Sequence, residues 1–319
     1  MERKRDYQAT YQALFQVESP KSTQYETSQA GILARGRGFM SAFDFTMQLQ
    51  VGCPGGCLFC YVPAADQLTP ADVKGEQGRN WGFLVRNKEN VLHKFKRHLY
   101  RAELADKTIY WSGVTDPYAT PPIVTRGLWQ ILNSAPPELR PRRIAIQTRF
   151  RPDRDADLLQ RYSQATRPTD GGPAVLVSFS VGTDRNDLIA AWEKSTPLFE
   201  KRLEAIRALR QAGLFVVATL SPFGLWHDLA GTLAQFKRWG VAYITCLFFK
   251  EQTPSANTPP LFLDYLRQNY PVLLEPSWQR ERLYEMCQVY GEDGVFVGRA
   301  GFETLAAPHR LSENVVYLV

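Results

Sequence analysis

The sequence lacks most of the side chains that a closed metal site or a disulfide framework would require. It has five cysteines and four histidines in 319 residues, and three cysteines are close together, at Cys53, Cys57 and Cys60. A structural zinc site normally combines two separated pairs of cysteine or histidine, and the sequence has no second pair. An odd number of cysteines without secretory features argues against disulfides. The histidines are scattered and give no catalytic candidate: His93, His98, His227 and His309.

Long apolar runs are missing as well. No stretch approaches the length of a membrane span, and residues 1–16 are charged and lack the apolar core of a signal peptide. We therefore expect a cytoplasmic protein without a membrane association. The residues are 44% hydrophobic and 12% aromatic, which is enough for one large core, and a single α/β barrel of this length is ordinary.

The group of cysteines reads Cys53-Pro-Gly-Gly-Cys57-Leu-Phe-Cys60. Four-iron clusters are normally held by four thiolates, so three thiolates leave one iron free to bind another ligand. Glycine supplies the positive φ angles that a loop around a cluster needs. An open iron indicates chemistry. The alternative is a non-catalytic iron–sulfur electron carrier or sensor, which the missing fourth ligand disfavours.

Strand and helix patterns alternate along the chain. Alternating apolar residues predict a strand over 43–51, which runs directly into the cysteines. Thr196 and Pro197 predict a helix start, and Gly213 predicts its end. Such alternation indicates a parallel sheet with helices outside it, either open or closed into a barrel. The further predicted strands are 108–111, 144–147, 174–181, 214–220 and 242–248, and the helices are 91–104, 155–164, 197–212 and 229–239.

The cysteine loop resembles the signature of the radical S-adenosylmethionine (SAM) superfamily, Cys-x3-Cys-x-aromatic-Cys, with Phe59 as the aromatic residue. The resemblance implies that Cys53, Cys57 and Cys60 ligate a [4Fe-4S] cluster whose open iron chelates SAM. An electron from the reduced cluster then cleaves SAM, and the 5′-deoxyadenosyl radical abstracts hydrogen from a substrate. Phe59 would lie against the adenine. Tyr61 is a further cofactor-binding candidate, with plain packing as its alternative.

The resemblance also implies the fold, a partial (β/α)6 barrel of the TIM type. The core barrel would span residues 41–250, preceded by an N-terminal extension over 1–40. Residues 251–319 would form a C-terminal appendage that closes the open side or the mouth of the barrel, and 251–260 has the composition of a linker. In such barrels the loops at the carboxyl ends of the strands build the site.

Over roughly residues 30–250 the chain resembles the group related to spore photoproduct lyase. The segment Ser112-Gly113-Val114-Thr115-Asp116-Pro117-Tyr118 looks like the Thr-Asp-Pro-Tyr segment of that group, which lies where superfamily members hold the SAM amino group. Gly113 would permit a close backbone approach, and Thr115 and Asp116 offer acceptors. The alternative is an Asp-Pro turn in which Asp116 bonds its own backbone. Further similar segments are 88–90, 147–149, 154–155, 178–180, 192–197 and 221–224.

These segments contain the remaining cofactor-binding candidates. Ser178 and Ser180 alternate inward on a barrel strand and would bond the ribose or carboxylate of SAM, or would only make room in a crowded interior. Arg149 would neutralise a carboxylate or phosphate, or be a solvated arginine. The resemblance adds three more candidates to this set: Ser112, Thr148 and Pro222.

One departure from the lyase bears on the reaction. The lyase carries a cysteine, its hydrogen donor, on the strand before this segment, whereas the present chain has Tyr110 and Trp111 there and no cysteine between Cys60 and Cys246. This argues against repair of DNA photoproducts. Tyr110 or Tyr118 would be the replacement hydrogen donor, although tyrosines in such positions often only pack.

The positive charge of the chain indicates one class of binding partner. The net charge is +6, and six arginines fall between Arg140 and Arg154, so nucleic acid is a candidate substrate. The superfamily resemblance also implies a reducing electron donor of the flavodoxin or ferredoxin type.

Overall fold

The structure, a computed structural model, describes residues 2–65, 68–250 and 258–308. The strands are β1 Gln24–Ser28, β2 Leu33–Arg35, β3 Phe45–Met47, β4 Gln50–Val51, β5 Leu84–Lys88, β6 Thr108–Trp111, β7 Arg143–Thr148, β8 Val175–Ser180, β9 Phe215–Leu220, β10 Ile244–Cys246 and β11 Val295–Val297. The helices are α1 Glu2–Phe15, α2 Ala71–Lys74, α3 Val91–Tyr100, α4 Pro122–Ser134, α5 Ala156–Ala165, α6 Asn186–Trp192, α7 Phe199–Gln211, α8 Leu229–Arg238, α9 Pro260–Asn269, α10 Pro276–Tyr290 and α11 Arg299–Ala306.

The main sheet of the described residues has eight strands in the order β11-β10-β9-β8-β7-β6-β3-β2. Every neighbouring pair from β3 to β11 is parallel, and β2 pairs antiparallel with β3. In the described part of the chain the two edge strands, β2 and β11, are not paired with each other. The sheet is therefore a barrel that does not close, which confirms the predicted fold class.

The central strands are buried along their whole length, as parallel strands covered on both faces require. All residues of β8 are buried, and β7 exposes only part of Gln147. The helices pack their apolar faces on the outside of the sheet. In α3 this face is formed by Val91, Phe95 and Leu99, which recur at helical spacing. The largest cluster of buried side chains lies between this layer of helices and the sheet.

The inner face of the sheet is covered at its lower end by α11. Phe302 and Leu305 of this helix pack against inward-facing residues of the sheet. The fully buried Arg143, at the start of β7, donates to the Ala306 carbonyl at 2.9 Å and pairs with Asp170. The C-terminal part of the chain thus supplies both the last parallel strand and the floor of the barrel. The inward-facing residues of this cluster are Tyr110, Ala145, Leu176, Val217, Tyr243 and Phe296.

Two predictions of local structure are wrong. The predicted strand over 43–51 divides into β3, which joins the main sheet, and β4, which joins a three-stranded sheet of order β1-β5-β4. Thr196 does not cap α7, because the helix begins at Phe199 and the Thr196 hydroxyl donates to Glu193 instead.

Two other predicted features are the linker and the lack of a membrane span. Most of the predicted linker, residues 251–257, lies outside the described residues. Across the described ranges no helix is long and apolar enough to cross a membrane.

Candidate functional site

Cys53, Cys57 and Cys60 lie in the loop that follows β4, on the chain leaving the carboxyl end of β3. All three are free thiols of intermediate exposure. The loop turns at Gly56, whose φ of +55° favours glycine. A Cβ at this position would also lie 3.0 Å from the Lys194 side chain and 3.3 Å from the Gly82 Cα. Packing and backbone conformation therefore both require glycine just before Cys57.

Burial is the main influence on the three thiols. It raises the pKa of Cys53 to about 11, and the Asp116 carboxylate raises it as well. It raises the pKa of Cys60 to about 12. Burial and the Glu193 carboxylate raise the pKa of Cys57 well above its ordinary value. The charges of Cys60 and Cys53 also raise the pKa of Cys57, and that of Cys53 raises the pKa of Cys60. The three thiols therefore act on one another electrostatically.

Hydrogen-bond donors lie at the sulfurs of Cys53 and Cys60, and they lower the pKa of these thiols, which opposes the effect of burial. The backbone N–H groups of Asp116, Gly55 and Gly56 lower the pKa of Cys53. The Val62 N–H and the Trp81 side chain do the same for Cys60. Donors to cysteine sulfur are one of the means by which proteins tune iron–sulfur clusters.

The donor set fits an iron–sulfur cluster better than a single ion. Within the described ranges, no three His, Cys, Asp or Glu side chains form a group that would hold one metal ion. In a cluster, by contrast, each thiolate binds its own iron, and cysteine thiolates are the usual ligands. Binding requires the deprotonated form, whose charge a buried site must neutralise with a cation. Three partly buried thiols in one short loop fit three corners of a cubane.

Arg149, directly after β7, acts electrostatically on this loop, since its positive charge lowers the pKa of both Cys57 and Cys60. Its Nη1 donates to Glu193 Oε1 at 3.2 Å, and its Nη2 donates to the Ser221 carbonyl. These bonds use two of the five N–H donors of a guanidinium. The predicted cofactor-binding arginine is therefore a partly buried residue held by two hydrogen bonds.

Glu193 links Arg149 to the loop and to the helix layer. Its carboxylate accepts from Arg202 Nη2 at 2.5 Å and from the Thr196 hydroxyl. Burial pushes the pKa of Glu193 up, but Arg202 and Arg149 together hold that pKa below its usual range. Its backbone also forms an isolated antiparallel bridge with Cys57. One buried acid thus fixes two arginines beside the cysteine loop.

The two aromatic candidates of the loop lie in different surroundings. Phe59 is buried, and the Arg149 guanidinium lies 5.0 Å from the centroid of its ring. Its ring also contacts Phe249 and Phe262, with centroids 6.3 and 6.0 Å apart. Tyr61 is 41% exposed, and its hydroxyl donates to the Gly113 carbonyl. Tyr61 therefore connects the cysteine loop to the segment that follows β6.

The segment after β6 contains the turn predicted as the alternative for Asp116. Asp116 Oδ1 accepts from the Tyr118 N–H at 2.9 Å and from the Thr148 hydroxyl at 2.6 Å, and Oδ2 accepts from the Arg149 N–H at 2.7 Å. Burial raises the pKa of Asp116, against these hydrogen bonds. Asp116 therefore joins the ends of β6 and β7 directly beside Cys53.

The neighbours of Asp116 in this segment differ in exposure. Thr115 is buried, whereas Ser112 and Gly113 are partly exposed. Gly113 has a φ of +113°, a conformation that favours glycine. The structure thus brings the predicted candidates of this segment to the carboxyl end of β6.

Hydroxyl groups line the inner face of the next strands. Ser178 bonds Thr219 at 2.5 Å, and Thr219 bonds Thr245 at 2.8 Å. Ser180, two residues after Ser178, is also buried. Pro222 follows β9 through a cis peptide bond with Ser221. These candidates lie along β8 and at the end of β9, on the side of the sheet opposite the helices.

The two tyrosine candidates are separated by the sheet. Tyr110 belongs to the inner cluster, and its hydroxyl donates to Gln147 Oε1 at 2.6 Å. Tyr118 belongs to the cluster between sheet and helices, where the Trp129 Nε1 donates to its hydroxyl at 3.0 Å. The structure therefore brings Tyr110, and not Tyr118, to the interior of the barrel.

The arginines between residues 140 and 154 do not form one face. Arg143 is buried against Asp170, and Arg149 lies in the site. Arg151 pairs with Asp153. The other three contact a carboxylate, carbonyl oxygens or an aromatic ring within the chain. They are Arg140, Arg142 and Arg154. The stretch therefore supplies no continuous phosphate-binding patch.

Three residues that hold the loop were not among the sequence-based candidates. Besides Glu193, the Ser195 hydroxyl donates to the Pro54 carbonyl at 2.7 Å, and Lys194 Nζ donates to the Gly82 carbonyl at 2.7 Å. All three fall within 192–197, one of the segments similar to the lyase group. The similarity of this segment to the lyase group therefore marked these residues as candidates. The sequence did not indicate which element each side chain contacts.

Comparisons with known proteins show the family and the fold of the chain. A sequence model of the Radical SAM superfamily matches residues 47–227. No curated protein sequence matches the chain. A structure of spore photoproduct lyase complexed with dinucleoside spore photoproduct superposes with a TM-score of 0.53 at 14% identity, over 90% of this chain and 83% of that chain. A double mutant of the lyase with bound AdoMet and the same photoproduct gives 0.51 at 14% identity, over 90% and 83%. At this identity the likeness shows the fold, and the sequence match shows that the chain belongs to the radical SAM superfamily.

Proposed function

We propose that the protein is a radical SAM enzyme that holds a [4Fe-4S] cluster through Cys53, Cys57 and Cys60 and binds SAM at the open iron. The observation that carries the proposal is one short loop with three free, partly buried thiols beside the carboxyl ends of parallel strands. When bound and reduced, this pair of cofactors supplies a 5′-deoxyadenosyl radical that abstracts hydrogen from a substrate.

Arg149 and Phe59 are the residues we assign to the charged and planar parts of SAM. Arg149 is held by Glu193 and Ser221 through two of its N–H groups, so its other donors suit a carboxylate. Phe59 is fixed between this guanidinium and two aromatic rings, which suits an adenine. The Gly113 carbonyl is already bonded to Tyr61, so we assign Tyr61 to the support of that segment.

The contacts of Asp116 indicate a role in holding the proposed SAM site together. It accepts three hydrogen bonds that fix Tyr118, Thr148 and Arg149. A carboxylate has about four acceptor sites, so one further bond from the SAM ammonium is compatible with these contacts. We assign the remaining candidates to the walls of the same pocket: Ser112, Thr115, Ser178, Ser180 and Pro222.

Of the two tyrosine candidates, we propose Tyr110 as the hydrogen donor, because its hydroxyl lies on the inner side of the sheet. The lyase structures contain a dinucleoside photoproduct, but we do not extend that substrate to this chain. Its arginine stretch forms no phosphate-binding face, and β6 holds no cysteine. A reductant of the flavodoxin or ferredoxin type completes the proposal.

The test uses protein that is purified and reconstituted without oxygen. Iron and sulfide are quantified, SAM and dithionite are added, and 5′-deoxyadenosine is measured by chromatography. We expect about four irons per chain and release of 5′-deoxyadenosine. A protein that carries the cluster but releases no 5′-deoxyadenosine would be an electron carrier or sensor, and tetrahedral zinc in place of iron would refute the ligand assignment.

A further inference from the structure

The N-terminal helix α1 packs beside the cysteine loop, outside the barrel. Tyr7, Tyr11 and Leu14 of this helix are buried, in one apolar cluster with Leu58 and Phe59 of the loop. The helix also packs against α6, which ends at Trp192, directly before Glu193. An element from the start of the sequence therefore forms one wall of the proposed cluster site.

One polar contact joins this helix to the backbone of the loop. The Tyr7 hydroxyl donates to the Gly56 carbonyl at 2.8 Å, and both groups are buried. A tyrosine hydroxyl is protonated at neutral pH and can donate. Because a trans peptide is planar, a Gly56 carbonyl directed at Tyr7 turns the Cys57 N–H away from α1.

Two backbone contacts restrain the loop beside this peptide plane, the bond from the Gly56 N–H to the Cys53 carbonyl at 3.2 Å and the bridge of Cys57 to Glu193, and the Tyr7 hydroxyl adds a side-chain donor to its carbonyl. Gly56 has no side chain, and its φ of +55° lies in a region that glycine enters and leaves easily. The potential of an iron–sulfur cluster depends on hydrogen bonds and dipoles near its sulfurs, and groups that orient the ligands are part of a metal site. A donor outside the loop that fixes this plane would therefore act on the cluster.

We propose that Tyr7 is a positioning residue for Cys57, whose hydroxyl fixes the peptide between Gly56 and Cys57 and thereby helps to set the reduction potential of the cluster. This inference rests on the cluster ligation proposed above. The Gly55 and Gly56 N–H groups lie at the Cys53 sulfur, and donors of this kind stabilise the reduced, more negative form of a cluster. A Gly56 that is held less firmly would weaken these bonds and lower the potential.

The chain supplies a matched control. Tyr11 lies one turn further along α1, is equally buried, and donates its hydroxyl to a backbone carbonyl, that of Arg79, at 2.6 Å. Arg79 is not in the cysteine loop. Tyr7→Phe and Tyr11→Phe therefore each remove one hydroxyl from a buried tyrosine of the same helix, and only the first removes a contact with a neighbour of a proposed cluster ligand.

The experiment compares the two variants with the parent after anaerobic reconstitution. The midpoint potential is measured by redox titration followed by EPR, and circular dichroism checks that both variants are folded. We expect a lower potential in Tyr7→Phe and the parent value in Tyr11→Phe. A parent-like potential in Tyr7→Phe, or an equal shift in both variants, would overturn the inference. Failure of the parent itself to bind a cluster would instead refute the ligand assignment.

Discussion

The cysteine loop and the strand ends beside it are built in different ways. The loop is a glycine-rich backbone held from outside, since Tyr7 and Ser195 donate to two of its carbonyls. The strand ends are held by their own side chains, since Asp116 accepts from Thr148 and Arg149 across two strands. The difference suggests that binding of iron and binding of SAM can be disrupted separately, except at a residue that touches both regions.

The largest effect is expected within the loop. Cys57→Ala leaves two protein ligands for a cubane, so we expect the variant to lose the cluster while it remains folded. Iron content and visible absorbance measure the loss. Cys287→Ala, which removes a partly buried cysteine on α10, is the control and should retain iron like the parent. Parent-like iron in Cys57→Ala would remove this residue from the ligand set.

Glu193 is the residue at which the two regions meet. Glu193→Gln removes the charge that compensates the buried Arg202 and Arg149, and breaking a buried pair in this way costs about 3–5 kcal/mol. We expect the free energy of unfolding in urea to fall by this amount and SAM binding to weaken as well.

The control for this change is Glu204→Gln, which breaks two solvent-exposed pairs, with Lys201 and with Arg151. Such pairs contribute about 1 kcal/mol or less. If the two variants lose equal stability, Glu193 does not have the central role that its contacts suggest.

The smallest effect is expected at the strand ends. Asp116→Ala removes the acceptor for three protein donors, so Thr148 and Arg149 lose their fixed positions. We expect SAM affinity to fall about tenfold, the lower end for a supporting residue, with iron content unchanged. Binding of SAM to the reconstituted protein measures the effect. Unchanged affinity would exclude Asp116 from the SAM site.

Asp44→Ala is a matched control for Asp116. Asp44 also accepts from a backbone N–H and a threonine hydroxyl, both of Thr108, but at the opposite end of the sheet. We expect this variant to lose some stability and to bind SAM like the parent. Equal losses of affinity would assign the effect of Asp116 to general destabilisation.

Much of the barrel could be predicted from the sequence, because each central strand is a short apolar run with turn residues on both sides. The strand over 108–111 was predicted with its observed ends. Which strand pairs with which could not be predicted in this way. The alternation over 43–51 continues through two strands that belong to different sheets, since the pattern shows which face is buried but not which strand pairs with it.

Prediction of the site from the sequence has the same limit. The ligand candidates could be found because three cysteines in a short loop form a local pattern. Tyr7 and Gly56 are 49 residues apart, and Thr196 donates to Glu193 instead of capping a helix because a buried carboxylate is the stronger acceptor. Contacts of this kind depend on the packed structure, and no spacing in the sequence indicates them.

The contact between Arg143 and Ala306 also has a consequence for biosynthesis. The guanidinium at the start of the third barrel strand finds one of its acceptors on the last helix described, and the edge of the sheet is formed by a strand made only slightly earlier. A nascent chain emerging from the ribosome would expose an unfinished sheet edge, and Arg143 would have Asp170 but not the Ala306 carbonyl as a partner until about residue 306 is translated. We expect assembly of the proposed cluster site to follow synthesis of the chain through this helix.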